Sequence, residues 1–142
     1  YGLSTSGNAT SRLGFRGVED LGGGLKAGFW LEGEIFGDDG NAAGFNFQRR
    51  STVSLAGGFG EVRLGRDLTP GYSKIISYDL FGQTGIGQFM GWSSNWYATI
   101  GDSNDFRSSN MISYYTPNFS GFTAGLGYGF DEQTSGKAGR YV

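Results

Sequence analysis

The sequence predicts an all-β fold, an antiparallel sheet that forms part of a transmembrane barrel wall, and three observations predict it. Six segments alternate apolar and polar residues with a period of two. The breaks between them are alternately short and turn-like, then long. Of 142 residues, 28 are glycine, 12 phenylalanine and 8 tyrosine, and each interior glycine costs a helix roughly 1 kcal/mol relative to alanine.

The six segments follow in order. Ser11 to Glu19 places Leu13 and Phe15 on one face and Arg12 and Arg16 on the other, and ends at the turn Asp20-Leu21-Gly22-Gly23-Gly24. Leu25 to Phe36 sets Ala27, Phe29, Leu31 and Ile35 against Lys26, Glu32 and Glu34, and a glycine-rich acidic loop, 37–47, follows. Gln48 to Ala56 has Val53 and Leu55 facing one way and Thr52 and Ser54 the other, and closes at Gly57-Gly58-Phe59-Gly60. Glu61 to about Asp67 sets Val62 and Leu64 opposite Glu61 and Arg63. Arg107 to Thr116 sets Ile112 and Tyr114 against Arg107, Ser109 and Ser113, then turns at 117–121. In Phe122 to Phe130, aromatic and aliphatic residues alternate with Thr123 and three glycines.

Leu68 to Phe106 has no period. A segment this long is functional or disordered, and Tyr72, Tyr78, Phe81, Phe89, Trp92, Trp96, Tyr97 and Phe106 are too many aromatics for a disordered linker. Short turns at one end of a set of antiparallel strands and long loops at the other is the asymmetry of an outer-membrane barrel. No apolar run approaches the roughly 18 to 20 residues of a membrane-spanning helix. A barrel strand needs none, because lipid-facing and lumen-facing residues alternate along it.

The residue inventory narrows the chemistry. Without cysteine or histidine, neither a disulfide, a usual zinc site nor a Ser-His-Asp or Cys-His arrangement can be built, and no cofactor or metal is expected. The net charge is -2, yet Arg12, Arg16, Lys26, Arg49, Arg50, Arg63, Arg66 and Arg107, eight of the eleven basic residues, fall in the strand segments. Most acids fall in turns and loops, so the expected wall is locally basic. No basic run is contiguous enough to track phosphates, which argues against a nucleic-acid partner.

Three stretches carry a resemblance: Ser-Arg-Leu-Gly-Phe-Arg-Gly-Val-Glu-Asp-Leu-Gly-Gly-Gly-Leu-Lys-Ala from Ser11 to Ala27, Phe-Gly-Glu-Val-Arg-Leu-Gly-Arg from Phe59 to Arg66, and Tyr-Tyr-Thr-Pro-Asn-Phe-Ser-Gly-Phe from Tyr114 to Phe122. In this order they resemble the trimeric porins of Gram-negative bacteria, particularly those of Comamonas-type and Burkholderia-type betaproteobacteria. The resemblance implies a sixteen-stranded barrel in the cell outer membrane, a homotrimer among lipopolysaccharide, and passage of small anions. It implies that residues 1–142 are part of one barrel, covering strands 2 to 7, with the first and the closing strands outside this stretch. Residues 68–106 would then be the third loop, folded inward as the constriction. Asp-Leu-Phe-Gly, Asp79 to Gly82, stands where many relatives carry Pro-Glu-Phe-Gly, which makes Asp79 a lumen-lining residue.

Strand position relative to a turn gives height in the membrane. Arg12 lies eight residues before Asp20, Arg49 and Arg50 eight and seven before Gly57, and Arg107 ten before Pro117. All four fall near one level, roughly 20 Å above the turn end at about 3.3 Å per residue and a tilt near 40°. Glu32, eight residues after Gly24 on the polar face, faces the same band and balances it. A ring of arginines at one height selects anions. The bland reading is a solvated rim, or one bound to lipopolysaccharide phosphates. Strict alternation favours Arg50 as the lumenal member of its pair, whereas the resemblance favours Arg49 and also matches Arg12 and Arg107 to constriction arginines. Arg16 and Lys26, four and two residues from their turn, would line the periplasmic side.

Alternation from Val62 and Leu64 puts Arg66 on the outer face, where a midplane arginine costs about 2 to 4 kcal/mol. A subunit interface would relieve that cost, and a strand bulge would remove the need for relief. Phe36, Phe45 and Phe47 fit an interfacial girdle better than a sugar-stacking platform. Glu32 and Glu34 share a strand face with no cleft implied, a poor glycosidase dyad. Asp38 and Asp39 leave open a divalent cation at the loops. The rival readings are an outer-membrane barrel acting as adhesin or receptor, which has no need of a narrowing segment, and a soluble β-sandwich carbohydrate-binding module.

Overall fold

The computed structural model describes residues 9–38, 46–85, 87 and 106–130. In them the alternating segments become β1 (Arg12–Gly22), β2 (Leu25–Glu34), β3 (Arg50–Gly57), β4 (Gly60–Leu68), β5 (Arg107–Tyr115) and β6 (Gly125–Gly129). They form one sheet in chain order, each antiparallel to the next. β1 runs further than the pattern suggests, to Gly22, across a register irregularity between Asp20 and Gly22. The turn proper is Gly23-Gly24, with φ of 62° and 81°. Two consecutive positive φ values make the tight hairpin whose twist matches the strands, and they favour glycine strongly. β6 is shorter than predicted, because Phe122 pairs with Phe119 across a separate turn whose Gly121 N–H donates to Asn118 Oδ1 at 2.6 Å.

The registers sort the side chains into two faces. One row reads Gly17, Phe29, Val53, Leu64, Ile112, Tyr128 across the six strands, and the next reads Glu19, Ala27, Leu55, Val62, Tyr114, Leu126. This face is apolar yet open: Phe15 is 52% exposed, Phe29 47%, Val53 56% and Leu64 47%. An apolar sheet face of this extent is a liability in water and the expected lipid-facing surface of a barrel. The opposite face carries Arg12, Arg16, Lys26, Trp30, Glu32, Arg50, Glu61 and Arg63, and it is here that Thr52, Met111 and Ser113 are buried.

Part of the aperiodic segment folds as a helix, α1 (Pro70–Ile76), that periodicity does not reveal. Proline in the first turn after Thr69 and Lys74 in the last are its only sequence signals. α1 lies on the polar face of β6, where Gly125 and Gly127 make room for it. A Cβ on Gly127 would stand 2.9 Å from Pro70 Cδ, and one on Gly125 3.2 Å from Pro70 Cβ. Lys74 Nζ donates to Thr123 Oγ1 at 3.0 Å, the Tyr72 and Phe106 rings lie 4.5 Å apart, and the Thr69 N–H donates to the Phe106 carbonyl at 3.0 Å. The remaining aromatics of the segment, Phe89, Trp92, Trp96 and Tyr97, lie outside the described residues, as do Phe45 and Asp39.

The β4–β5 register shifts between Gly65 and Asp67, where β5 carries an extra residue beside Asn110, at φ 49°. The shift corrects the expected phase of β5. Ser109 does not join Ser113 on the polar face, since its Oγ accepts from Arg66 NH1 at 2.7 Å, and Arg66 pairs with Ser51 in the outer row.

Candidate functional site

The upper part of the polar face gathers two of the four expected arginines, Arg12 and Arg49, around one carboxylate. Arg49 Nε donates to Glu32 Oε1 at 2.9 Å, and Arg12 NH1 approaches the same oxygen at 3.8 Å. The Arg49 N–H also donates to the Glu32 carbonyl at 3.1 Å, extending the β2–β3 ladder by one residue beyond β3. At that frayed strand end the side chain escapes strict alternation and turns to the polar face. The β5 register shift also puts Arg107, first residue of β5, opposite Leu68 rather than in the row of Ser113 where alternation places it, and from this strand end its Nε donates to the Arg49 carbonyl at 2.8 Å. Arg12, Glu32, Arg49 and Arg107 are thus one continuous chain of contacts from β1 to β5. Glu34 opposes Arg12 in register. Even counting it, the three guanidiniums outnumber the carboxylates.

Arg50 is built into a different group. Its Nε donates to Thr52 Oγ1 at 3.1 Å and stands 3.5 Å from Asp67 Oδ2, and its guanidinium lies over the Trp30 ring, 4.2 Å from the centroid. Asp67, only 4% exposed, also accepts from Arg63 NH1 at 2.7 Å. Arg63 is clamped by Glu61 as well, Nε to Oε1 at 3.1 Å and NH2 to Oε2 at 2.9 Å, and lies over the Tyr115 ring at 4.6 Å. Here two guanidiniums meet two carboxylates, so this group is balanced, and bidentate charge-assisted bonds make it rigid.

Sequence reasoning missed Trp30, Glu61, Arg63 and Asp67 as site residues. Their parity was visible, because Glu61, Arg63 and Asp67 alternate on one strand face and Trp30 shares the face of Lys26 and Glu32. What no single-strand pattern shows is that Asp67 reaches across to Arg50 on β3.

The other expected residues stand apart. Arg16 is exposed on the polar face, its guanidinium 5.4 Å from the Trp30 ring centroid, and Lys26 lies between Asp20 and Ala56 near the first turn. Asp79 caps its own turn, accepting from Phe81 N at 2.9 Å and Gln83 N at 3.0 Å. Gln83 Oε1 in turn accepts from Tyr72 Oη at 2.7 Å. Burial pushes the Tyr72 phenol up, so it stays a neutral donor. Arg66 donates Nε to the Gln48 carbonyl at 2.6 Å and sits two residues from the end of β4, well away from the turn end. Glu32, held by two arginines, is not poised as half of a carboxylate dyad. Among the described residues no cluster of acids could hold a metal ion.

A meander of antiparallel strands with one apolar exposed face, one charged face, and a helix at the start of the long connection packed on the charged side defines a wall segment of an outer-membrane β-barrel. The comparisons agree. The profile of the Gram-negative porins matches residues 2–142. Outer membrane porin protein 32 of Delftia acidovorans is 71% identical over the whole of this chain, which covers 42% of that protein. An outer membrane porin of Bordetella pertussis is 37% identical over 92% of the chain and 33% of its own length. Among solved structures, an anion-selective porin from Comamonas acidovorans superposes with a TM-score of 0.79 at 71% identity, covering 95% of this chain and 41% of that one.

The chain belongs to the Gram-negative porin family, channel proteins of the outer membrane rather than enzymes. It spans less than half the length of these relatives. The polar face is therefore the lumenal face, and the apolar face is the outer one.

Proposed function

We propose that the full-length protein forms a water-filled diffusion channel for small hydrophilic solutes and prefers anions. The observation that carries this reading is the lumenal chain Arg12–Glu32–Arg49–Arg107, in which cations outnumber carboxylates. A surplus of guanidinium charge at one narrow, low-dielectric level raises the local anion concentration. The relative from Comamonas acidovorans is itself described as anion-selective. Glu32 orients Arg12 and Arg49 and moderates their field. Residues 68–106 set the bore, a role supported by the seat of α1 on the lumenal glycines of β6. Arg16, Lys26 and Asp79 line the wider lumen. The parent barrel has sixteen strands and assembles as a homotrimer among lipopolysaccharide, with the outward Arg66 at a subunit interface.

Liposome swelling with the full-length protein tests the channel directly. Small sugar acids should enter faster than neutral sugars of equal size, and both should fail above a size limit. Absence of swelling despite correct insertion would replace the channel by a receptor or adhesin barrel.

A further inference from the structure

The arginines of the lumenal face differ in how they are held, and the difference points to a second place where anions pause. Arg50 and Arg63 are tied to Asp67 and Glu61, so their charge is neutralised where they stand. Arg16 is held otherwise. It sits directly opposite Trp30 in the β1–β2 register, its guanidinium carbon 5.4 Å from the indole centroid, and among the described residues it makes neither a hydrogen bond nor an ion pair. An aromatic face attracts a cation through its quadrupole without cancelling the charge, and a guanidinium resting on a ring keeps its edge of N–H donors for another partner. The indole also meets Arg50, whose guanidinium lies 4.2 Å from its centroid and is anchored by Thr52 and Asp67.

We infer that Arg16, positioned by Trp30, is a separate station for small oxyanions, carboxylates or phosphate, on the short-turn side of the Arg12–Arg49–Arg107 cluster. Its distinguishing features are an uncompensated charge, a pre-oriented donor edge and exposure to the lumen. In β1, Arg16 lies four residues nearer the first turn than Arg12, so an anion passing from one to the other moves along the wall rather than around it. The station feeds or drains the constriction, and in that sense it rests on the proposed anion channel. Its ligand chemistry is that of a bidentate oxygen pair, which a guanidinium edge matches and a halide does not.

The test uses the full-length trimer in planar bilayers, recording single-channel conductance in dilute potassium phosphate and in dilute potassium chloride, with the reversal potential alongside. Arg16→Gln should lower phosphate conductance by about two-fold or more and chloride conductance less, with the effect fading at high salt as charges are screened. Trp30→Leu removes no charge yet should reproduce most of the phosphate loss, whereas Trp30→Phe, which keeps an aromatic face, should retain the wild-type value. Arg16→Gln with unchanged phosphate conductance would overturn the station. So would Trp30→Leu behaving like the wild type, or Trp30→Phe failing as badly as Trp30→Leu in a correctly assembled trimer. Should the wild type itself show a cationic reversal potential, the constriction reading fails instead, a result separate from any of these.

Discussion

Adjacent residues Arg49 and Arg50 show how much a single position decides. Both reach the lumenal side, but Arg49 belongs to the charge-surplus chain around Glu32 and Arg50 to the balanced group around Asp67. Their alanine variants should therefore part company. Arg49→Ala should shift ion selectivity toward cations, because it removes a cation and releases Glu32, while trimer stability changes little. Arg50→Ala should do the reverse, leaving selectivity nearly intact and lowering the temperature at which the trimer dissociates on gels. Equal effects of the two on selectivity would merge the two groups. Asp67 is the more severe site, since it is buried and serves two guanidiniums. Removing one partner of a buried pair leaves the other uncompensated, so Asp67→Ala should cost about 3 kcal/mol in urea unfolding of the reconstituted protein. A loss near zero would mean that lumenal water replaces the carboxylate.

At the scale of elements, α1 and β6 are joined by absence of side chains. Gly125 and Gly127 expose backbone on which the Pro70 ring rests, and a Cβ at Gly127 would come within 2.9 Å of it. Gly127→Val should push α1 off the wall into the lumen, reducing single-channel conductance and adding current flicker, without loss of trimer. Unchanged conductance would show that the helix does not help set the bore. This element also marks the limit of what the sequence makes legible. Strands announce themselves through period-two alternation, so all six were visible within a few residues, and the arginine level followed from counting back from turns. α1 did not, because it is seven residues long, carries glycine and β-branched isoleucines, and is stabilised by its seat on β6 rather than by its own propensity. The bulge beside Asn110 was equally hidden: it leaves no composition mark, yet it moves Ser109 to the outer face beside Arg66. The same kind of end effect let Arg49 and Arg50 both turn inward, where alternation admits only one.

For the whole molecule, the two faces of the sheet state which side meets lipid. The outer row from Gly17 to Tyr128 is apolar across six strands and open on its surface. Val53 in this row and Ser54 beside it point to opposite sides, which allows a paired test in one strand. Val53→Arg should cost about 2 to 4 kcal/mol for insertion into vesicles if the position is near the bilayer midplane. Ser54→Arg should insert normally. Equal penalties would contradict the assignment of faces. Arg66 is a cation in this surface, near the strand's upper end and bonded to Gln48 and Ser109. Under the proposed trimer with Arg66 at its interface, Arg66→Ala should weaken the assembly on unheated gels, and an unaltered trimer would remove it from the interface.

In the proposed channel, the surplus of arginine over carboxylate along Arg12, Glu32, Arg49 and Arg107 sets the preference for anions. The direct measurement is the reversal potential of the full-length protein in a planar bilayer under a potassium chloride gradient, for the wild type and for the triple variant Arg12→Gln, Arg49→Gln, Arg107→Gln. The wild type should give an anion-selective potential that collapses toward zero or changes sign in the triple variant. A cation-selective wild type, or an anion preference that survives the loss of all three arginines, would contradict it.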